Sequence, residues 1–238
     1  MKIALIGYGK MGKVIEQVAI ERNHSIALII DINNQDQFTK ENLQNIDVAI
    51  EFTTPHTAID NLTKCAQFDI PVVCGTTGWY ENKITIENLF LQKNGSLLYT
   101  SNFSIGVNLF FKINEFVAKL MAKQEGYSVN LQEIHHTQKK DAPSGTALSL
   151  AHQILPFYPH KTSIENSKTS NNNVLSIESF REDPAPGTHH VFYNSVEDTI
   201  QITHTAHNRN GFALGAVLAA EYIYNKKGIF TMQDVLSI

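Results

Sequence analysis

Lys2-Ile-Ala-Leu-Ile6 runs directly into Gly7-Tyr-Gly9-Lys-Met-Gly12, and the apolar positions that follow recur at helical spacing. These positions are Met11, Val14, Ile15, Val18 and Ala19. A strand, a glycine turn and an amphipathic helix in this order predict the first unit of a dinucleotide-binding sheet. In such a site Gly7 allows the tight turn, Gly9 lets the backbone approach a pyrophosphate, and Gly12 lets the helix pack closely on the strand.

A second apolar run supports the same interpretation. Ile26-Ala-Leu-Ile-Ile30 ends in Asp31, nineteen positions after Gly12. An acidic residue at this distance hydrogen-bonds the adenosine ribose of a bound dinucleotide. The alternative is a glycine turn in an unrelated α/β fold with an unconnected aspartate, and the combined spacing favours the dinucleotide site.

The first hundred residues continue to alternate between strand and helix patterns. Strands are predicted at 47–52, 71–74 and 97–100, and helices at 56–66 and 80–91. Such alternation predicts a Rossmann-like, doubly wound parallel sheet in an α/β fold. Because ligands of these sheets bind outside the carboxyl ends of the strands, the loops at 52–55, 75–78 and 101–103 are candidate binding loops.

The second half of the chain has a different pattern. A long apolar-periodic helix after Phe103 precedes four alternating segments, which predict an α+β unit with an antiparallel or mixed sheet. The predicted strands are 128–134, 174–181, 189–195 and 198–206. Residues 161–173, rich in Ser, Thr and Asn, are predicted to form a flexible surface connection. The closing helices are predicted at 211–224 and 231–236, the second with Thr231 as N-cap.

These patterns predict two domains. Residues 1–103, completed by 211–238, form a dinucleotide-binding domain, and residues 104–210 form a domain for substrate binding and assembly.

The most polar segment of the chain is Glu133-Ile-His-His-Thr-Gln-Lys-Lys-Asp-Ala-Pro-Ser-Gly-Thr146. It combines two adjacent imidazoles and two amines with a Ser-Gly-Thr sequence that opens a helix. Backbone N–H groups at a helix N-terminus attract carboxylates, while His and Lys supply protons nearby. The segment therefore predicts a site for a small dianionic substrate, with a solvated loop and an ordinary N-cap as the alternative.

Composition argues against several other classes of protein. The 238 residues carry a net charge of −4 without a basic stripe, which disfavours a nucleic-acid partner. The longest apolar run, residues 212–220, is too short to cross a membrane, and the first residues do not resemble an export signal. We therefore expect a cytoplasmic protein in which Cys65 and Cys74 are reduced core residues.

Some chemically suggestive side chains have ordinary explanations. Four histidines lie on or near the last predicted strands, but no Cys or carboxylate completes a zinc-like spacing, and no metal site is predicted. They are His189, His190, His204 and His207. Arg181 and Arg209 could steer a dianion, although a surface arginine more often forms a weak ion pair. Trp79 either covers the cofactor cleft or packs in the core.

Taken together, the motifs resemble the 4-hydroxy-tetrahydrodipicolinate reductase (dihydrodipicolinate reductase) family along the whole chain. The matching segments are Gly7-x-Gly9-x-Met11-Gly12, Gly75-Thr-Thr-Gly78, Asn102-Phe-Ser-x-Gly-Val-Asn108, His135-His-x-x-Lys139-x-Asp-Ala-Pro-Ser-Gly-Thr146, Pro186-Gly-Thr-His189 and Phe230-x-Met-x-Asp-Val235. The resemblance implies reduction by NADH or NADPH in the diaminopimelate route to lysine. It also implies a homotetramer assembled through the sheets of the second domain, and a hinge that closes on the substrate.

The same resemblance assigns roles to individual residues. It implies an acid/base role for His135, proton donation by Lys139, and contacts to a dicarboxylate substrate from His136, Gly145 and Thr146. Its cofactor contacts fall on Gly7, Tyr8, Gly9, Lys10, Met11, Gly12, Asp31, Gly75, Thr76, Thr77, Thr100, Ser101, Asn102 and Phe103. Which of His135 and Lys139 transfers which proton is left open.

Two rival functions are compatible with the scaffold. One is another dehydrogenase, acting on a different imine or keto acid. The other is a dinucleotide-sensing module that has lost its chemistry and binds cofactor without turnover. The sensor is disfavoured because His135, Lys139 and the Ser144–Thr146 turn are all retained.

The residues after Asp31 predict the cofactor preference. Asp31 is followed by Ile32 and Asn33, and no arginine is present there to receive a 2′-phosphate. We expect a higher kcat/KM with NADH than with NADPH, with NADPH still usable, in steady-state assays with each cofactor. Comparable values for the two cofactors would contradict this.

Overall fold

The computed structural model describes all 238 residues, which form two compact units. Unit 1 comprises Met1–Ile105 and Arg209–Ile238, and unit 2 comprises Gly106–Asn208. Both boundaries lie two residues from those expected from the sequence. None of the helices combines the length and the apolar character that a membrane crossing requires.

The secondary structure alternates in unit 1 and becomes strand-rich in unit 2. The strands are β1 (Lys2–Ile6), β2 (Ser25–Ile30), β3 (Val48–Glu51), β4 (Val72–Cys74), β5 (Ser96–Tyr99), β6 (Ser128–His135), β7 (Ser163–Glu165), β8 (Val174–Arg181), β9 (Gly187–Asn194), β10 (Thr199–Ala206) and β11 (Gly228–Phe230). The helices are α1 (Lys10–Glu21), α2 (Lys40–Leu43), α3 (Pro55–Gln67), α4 (Lys83–Gln92), α5 (Ile105–Met121), α6 (Gly145–Ile154), α7 (Asn210–Ile223) and α8 (Met232–Leu236).

Unit 1 is built on a six-stranded sheet with the order β11-β5-β4-β3-β1-β2, in which every pairing is parallel. This confirms the predicted Rossmann-like sheet. Ile3 and Leu5 of β1 belong to the core cluster that includes α1 and α7, whereas Ala4 and Ile6 belong to the cluster that includes α3 and α4. Because helices cover both faces, the strand is an unbroken apolar run rather than an alternating one.

Unit 2 contains a five-stranded mixed sheet with the order β10-β9-β6-β8-β7, as predicted for the second half. Strand β6 pairs in parallel with β8 and antiparallel with β9. Alternate residues of β6 are buried, including Val129 and Leu131, and they pack in one cluster with Ala118 of α5 and Leu150 of α6.

The structure corrects the sequence-based boundaries in two places. The segment 161–173 is not simply a flexible connection, because Ser163–Glu165 forms β7 and pairs with β8 at the sheet edge. Strand β11 was not predicted and extends the sheet of unit 1 beside β5. Each of these strands has only three residues, and neither contains the fully buried apolar run that marks the equally short β4. Thr231 does cap α8, with its N–H and hydroxyl both donating to Asp234.

Gly215 sets the distance between α7 and the chain at Phe103. A Cβ at Gly215 would lie 1.8 Å from the Phe103 carbonyl oxygen, whereas one at Gly211, on the same helix, would meet nothing nearer than 4.0 Å. We expect Gly215→Ala to lower the free energy of unfolding by about 1–3 kcal/mol, the usual effect of overpacking. Gly211→Ala is the matched control and should be neutral or slightly stabilising. Urea denaturation measures both, and equal stabilities would contradict the packing argument.

Candidate active site

The glycine turn after β1 has the geometry that a dinucleotide site requires. Gly7 has φ +94°, and a Cβ there would lie 2.1 Å from the Phe52 carbonyl oxygen. A Cβ at Gly12 would lie 2.4 Å from the Gly7 oxygen, while nothing lies within 4 Å of the corresponding position at Gly9. Gly9 is the N-cap of α1, and no side chain caps that end. The open helix N-terminus is therefore a site at which backbone N–H groups can meet an anion.

Asp31 lies at the carboxyl end of β2 and is half-buried. Its backbone N–H donates to Asn34 Oδ1 at 2.6 Å, and its carbonyl accepts from Gln35 at 2.9 Å. Asn34 also donates to the Ile29 carbonyl at 2.7 Å. These hydrogen bonds hold the backbone of Asp31 at the end of β2, where a ribose-binding carboxylate is expected.

A cleft of about 230 Å³ lies at the carboxyl ends of the strands of unit 1. Its lining residues are Met11, Phe52, Gly75, Ser101, Asn102, Phe103, Arg209 and Phe212. The rings of Phe52 and Phe103 have centroids 5.7 Å apart, and a Cβ at Gly75 would lie 2.2 Å from the Phe52 ring. The cleft thus brings together five residues of the predicted cofactor set and Phe52 of the predicted binding loop at 52–55. Arg209, which the sequence analysis left between steering a dianion and a weak surface ion pair, also lines the cleft, as does Phe212, which was not predicted. Apolar walls with a few polar groups suit a flat heteroaromatic ring.

Two threonines of the predicted cofactor set, Thr76 and Thr100, already form hydrogen bonds with neighbouring residues. Thr76 is buried, and its hydroxyl oxygen accepts the Thr53 N–H at 2.8 Å. Trp79, 1% exposed, donates its indole N–H to the Thr76 carbonyl at 2.8 Å, so it packs in the core rather than covering the cleft. The Thr100 hydroxyl oxygen accepts the N–H of Asn102 at 3.2 Å. Thr77 is exposed and is the most accessible of the three.

In unit 2 the polar segment is organised around Glu133, whose carboxylate is completely buried. The Ser144 N–H lies 3.1 Å from each carboxylate oxygen. His135 Nδ1 lies 3.5 Å from Oε2, and His189 Nε2 lies 3.7 Å from it. The Arg181 guanidinium approaches Oε1 at 3.5 Å. One carboxylate therefore links the end of β6, strands β8 and β9, and the start of α6.

The charges of this cluster follow from burial and from the neighbouring groups. Burial would raise the pKa of the Glu133 carboxyl, but the hydrogen bond from Ser144 and the charge of His135 outweigh it, and the pKa is lowered. Burial lowers the pKa of His135, assisted by Lys139 and Arg181 and opposed by Glu133. Burial, with a further contribution from His135, lowers the pKa of His189 to about 3. His189 is therefore a neutral imidazole at physiological pH.

Arg181 positions the turn that carries Lys139. Its Nε donates to the Lys139 carbonyl at 3.2 Å, and its Nη2 donates to the Asp141 carbonyl at 2.6 Å. The Lys139 ammonium lies 2.7 Å from the Asp141 carboxylate, and this hydrogen bond lowers the pKa of Asp141. Arg181 is thus not the weak surface ion pair expected from the sequence, because it fixes two backbone carbonyls as well as approaching Glu133.

At the N-terminus of α6 a side-chain cap from Ser144 is followed by open space beside Gly145. The Ser144 hydroxyl accepts the Ala147 N–H at 3.2 Å and lies 3.2 Å from His189 Nε2. Gly145 is exposed, and nothing lies within 4 Å of the position where a Cβ would stand. Thr146 follows it in the first turn, so these two predicted substrate residues lie where helix N–H groups can receive a carboxylate.

His136, the third predicted substrate residue, follows β6 and is half-buried. Its backbone N–H donates to the Ala185 carbonyl at 2.8 Å, and its own carbonyl accepts the Lys139 N–H at 3.1 Å.

The buried histidines do have a carboxylate neighbour, contrary to the sequence-based expectation. Atoms of Glu133, His135 and His189 that could ligate a metal lie within 4.8 Å of one another. However, the carboxylate already accepts the Ser144 N–H and faces the Arg181 guanidinium at 3.5 Å. A neighbouring cation disfavours a bound metal ion, so these contacts favour a hydrogen-bonded cluster.

Comparison with known proteins covers both units. The family model described as "Dihydrodipicolinate reductase, N-terminus" matches residues 1–103, and the one described as "Dihydrodipicolinate reductase, C-terminus" matches residues 106–236. The 4-hydroxy-tetrahydrodipicolinate reductase of Christiangramia forsetii is 47% identical over 246 residues, covering 100% of this chain and 98% of the relative. The enzyme of the same name from Thermosipho africanus is 34% identical over 239 residues, covering 99% and 98%.

A solved structure has the same fold. The dipicolinate-bound dihydrodipicolinate reductase from Paenisporosarcina sp. TG-14 superposes with a TM-score of 0.78 at 22% identity, covering 98% of each chain. At this level of identity the likeness establishes the architecture alone.

The buried neutral His189 makes stability depend on pH. Its pKa is about 3 in the folded protein and 6.5 in a free side chain, so below pH 6.5 the unfolded chain binds a proton that the folded chain does not. Acidification from pH 6.5 to 5 should therefore remove about 2 kcal/mol of stability that His189→Gln does not lose. Urea denaturation followed by circular dichroism at both pH values measures the difference. Parallel losses in the two proteins would show that His189 takes up its proton without unfolding.

Proposed function

The chain belongs to the dihydrodipicolinate reductase family, and we propose that it reduces 4-hydroxy-tetrahydrodipicolinate to tetrahydrodipicolinate in diaminopimelate and lysine biosynthesis. The observation that carries the proposal is the cluster in which Glu133 and Arg181 tie His135, the Lys139 turn and the start of α6 together. A dicarboxylate substrate needs donors for its anionic ends and an acid for the reacting centre, and this cluster contains both.

A bound nicotinamide dinucleotide would supply hydride, which C4 of the conjugated imine would accept once the substrate has lost its 4-hydroxyl group as water. Gly7, Gly9 and Gly12 would hold its pyrophosphate against the N-terminus of α1, and Asp31 its ribose. The fit is supported by the close approach of the backbone at Gly7 and by the open space at Gly9. The cleft around Phe52 and Phe103 is the candidate site for the nicotinamide ring.

The α6 N-terminus supports binding of one substrate carboxylate. Gly145 and Thr146 would donate backbone N–H groups, and Thr146 a hydroxyl as well. Ser144 holds this end of the helix in place because its own N–H is bound to Glu133. His136 would serve the same dianion.

His135 or Lys139 would supply the proton that the substrate needs after hydride transfer. Glu133 faces His135 Nδ1, while a Cβ at Gly187 would lie 3.0 Å from Nε2, so the absence of a side chain at Gly187 keeps space open beside Nε2. Lys139 Nζ, paired with Asp141, is a second donor on the adjacent turn. Either group can give a proton to the carbon or nitrogen that gains electron density after hydride transfer, and both assignments remain part of the proposal.

The finer points belong to the same proposal. Preference for NADH is supported by Asp31 and by Ile32, a residue that is 82% exposed where a 2′-phosphate would need a cation. A homotetramer through the sheet of unit 2 is supported by the half-buried row of Asn130, Gln132 and Phe192, on the sheet face opposite α5 and α6. Sedimentation equilibrium tests this oligomeric state.

A cytoplasmic location is supported by two free, buried cysteines.

The rival functions are separated by one assay. The condensation product of aspartate semialdehyde and pyruvate is supplied with NADH or NADPH, and the loss of absorbance of the reduced cofactor is followed. Turnover supports the proposal, whereas cofactor binding without turnover indicates a sensor. Turnover only with another imine or keto acid indicates a different dehydrogenase.

Lys139 and its neighbour provide a matched pair of variants. We expect Lys139→Ala to lower kcat by about 10²-fold or more, because it removes a proton donor, while the Kd for NADH stays within about twofold of the wild type. Lys140→Ala removes an adjacent exposed ammonium and should leave kcat almost unchanged. Unchanged turnover in Lys139→Ala would remove Lys139 from the mechanism.

A further inference from the structure

Unit 1 contains a second buried carboxylate, for which the proposed chemistry has no use. Glu51 ends β3 and is completely buried. Its Oε1 accepts the Thr53 hydroxyl and, at 3.3 Å, the side-chain N–H of Asn61. Its Oε2 accepts the Cys74 thiol with a sulfur–oxygen distance of 3.0 Å. The bonding partners are neutral donors, so the carboxylate is held by hydrogen bonds rather than by an ion pair.

The donors connect the loop after β3, the end of β4 and helix α3. Thr53 lies in the loop after β3, and its backbone N–H donates to the Thr76 hydroxyl oxygen in the loop after β4 at 2.8 Å. Cys74 is the last residue of β4 and leads directly into Gly75, which lines the candidate nicotinamide cleft together with Phe52. Asn61, on α3, donates to the Glu51 carboxylate and, also at 3.3 Å, to the Thr53 hydroxyl.

A carboxylate removed from water is costly, and a buried one is tolerated only where donors satisfy it. An apolar residue at the end of β3 would avoid that cost, as Val48, Ala49 and Ile50 do on the same strand. Glu51 instead accepts the Thr53 hydroxyl with one oxygen and the Cys74 thiol with the other. It thereby connects the loop after β3 to the residue that precedes the loop after β4. The side chain therefore fixes the spacing of the loops beside Phe52 and Gly75.

We propose that Glu51 is a positioning residue for the cofactor, and that its carboxylate holds the Phe52 and Gly75 loops in the arrangement that binds the nicotinamide half. The inference rests on the proposed function, since it concerns the same cofactor site. Cys74 contributes to this arrangement by donating its thiol hydrogen to the Glu51 carboxylate. Burial and the nearby Glu51 charge raise the pKa of its thiol well above the usual value, so it remains a protonated donor rather than a nucleophile.

Isothermal titration of NADH tests the proposal in the full-length protein. Glu51→Gln keeps the shape of the side chain but replaces one acceptor oxygen with an NH₂ group that faces donors. We expect its Kd for NADH to rise about tenfold, while the KM for the dicarboxylate substrate at saturating NADH stays within about twofold. Cys74→Ala, which removes one donor, should weaken NADH binding about threefold, and Cys74→Ser, which restores a donor, should return it to the wild-type value.

The control is Ser96→Ala, at a buried hydroxyl in the first residue of β5, whereas the cofactor loops follow the last residues of β3 and β4. It should leave the Kd for NADH unchanged even if thermal unfolding shows a loss of stability. The inference is overturned if folded Glu51→Gln binds NADH as the wild type does. It is also overturned if Cys74→Ser is as weak as Cys74→Ala, or if Ser96→Ala weakens binding equally. A wild type that binds neither NADH nor NADPH would instead overturn the proposed function itself, and the inference with it.

Discussion

The Glu133 carboxylate is the interaction on which the polar site of unit 2 depends. Its burial is complete, and its ionisation is favoured by the Ser144 N–H, His135 and the nearby Arg181 guanidinium. Removing an ion from water costs several kcal/mol unless donors replace the lost hydration, so these groups must converge for the fold to form. Because they come from β6, β8 and the start of α6, satisfying one charge also assembles the imidazole, the helix N-terminus and the arginine that holds the Lys139 turn.

In unit 1 the turn after β1 depends on close contact between backbone atoms rather than on a charged side chain. The glycine turn after β1 is shaped by missing side chains, since Gly7 and Gly12 stand where a Cβ would overlap backbone oxygen atoms. The open N-terminus of α1 is the consequence, and no charged side chain is needed to create it. Close backbone contact therefore shapes the glycine turn of unit 1, whereas a buried charge that must be satisfied organises the polar cluster of unit 2.

Much of this architecture could be predicted from local patterns. The β1 turn, the parallel sheet and the mixed sheet follow from apolar runs and alternating patterns along the chain. Strands β7 and β11 could not be found in this way, because they lack the fully buried apolar run that marks the equally short β4, and their partners are set by tertiary contacts. The roles of Glu133 and Arg181 were missed because they depend on register. On β6, Glu133 stands opposite His189 of β9, and His135 stands opposite Arg181 of β8. The spacing of Glu133 and His135, two apart on a strand with alternating burial, was the signal that both face one side.

The single tryptophan of the chain lies in unit 1, buried beside Tyr99 with its indole N–H bound to the Thr76 carbonyl. Indole emission therefore reports the surroundings of the Gly75–Gly78 loop and carries no direct signal from unit 2. Far-ultraviolet ellipticity, in contrast, sums over the helices and strands of both units. Superimposable denaturation curves from the two optical probes would mean that the units melt as one cooperative body, and displaced curves would give each unit its own transition.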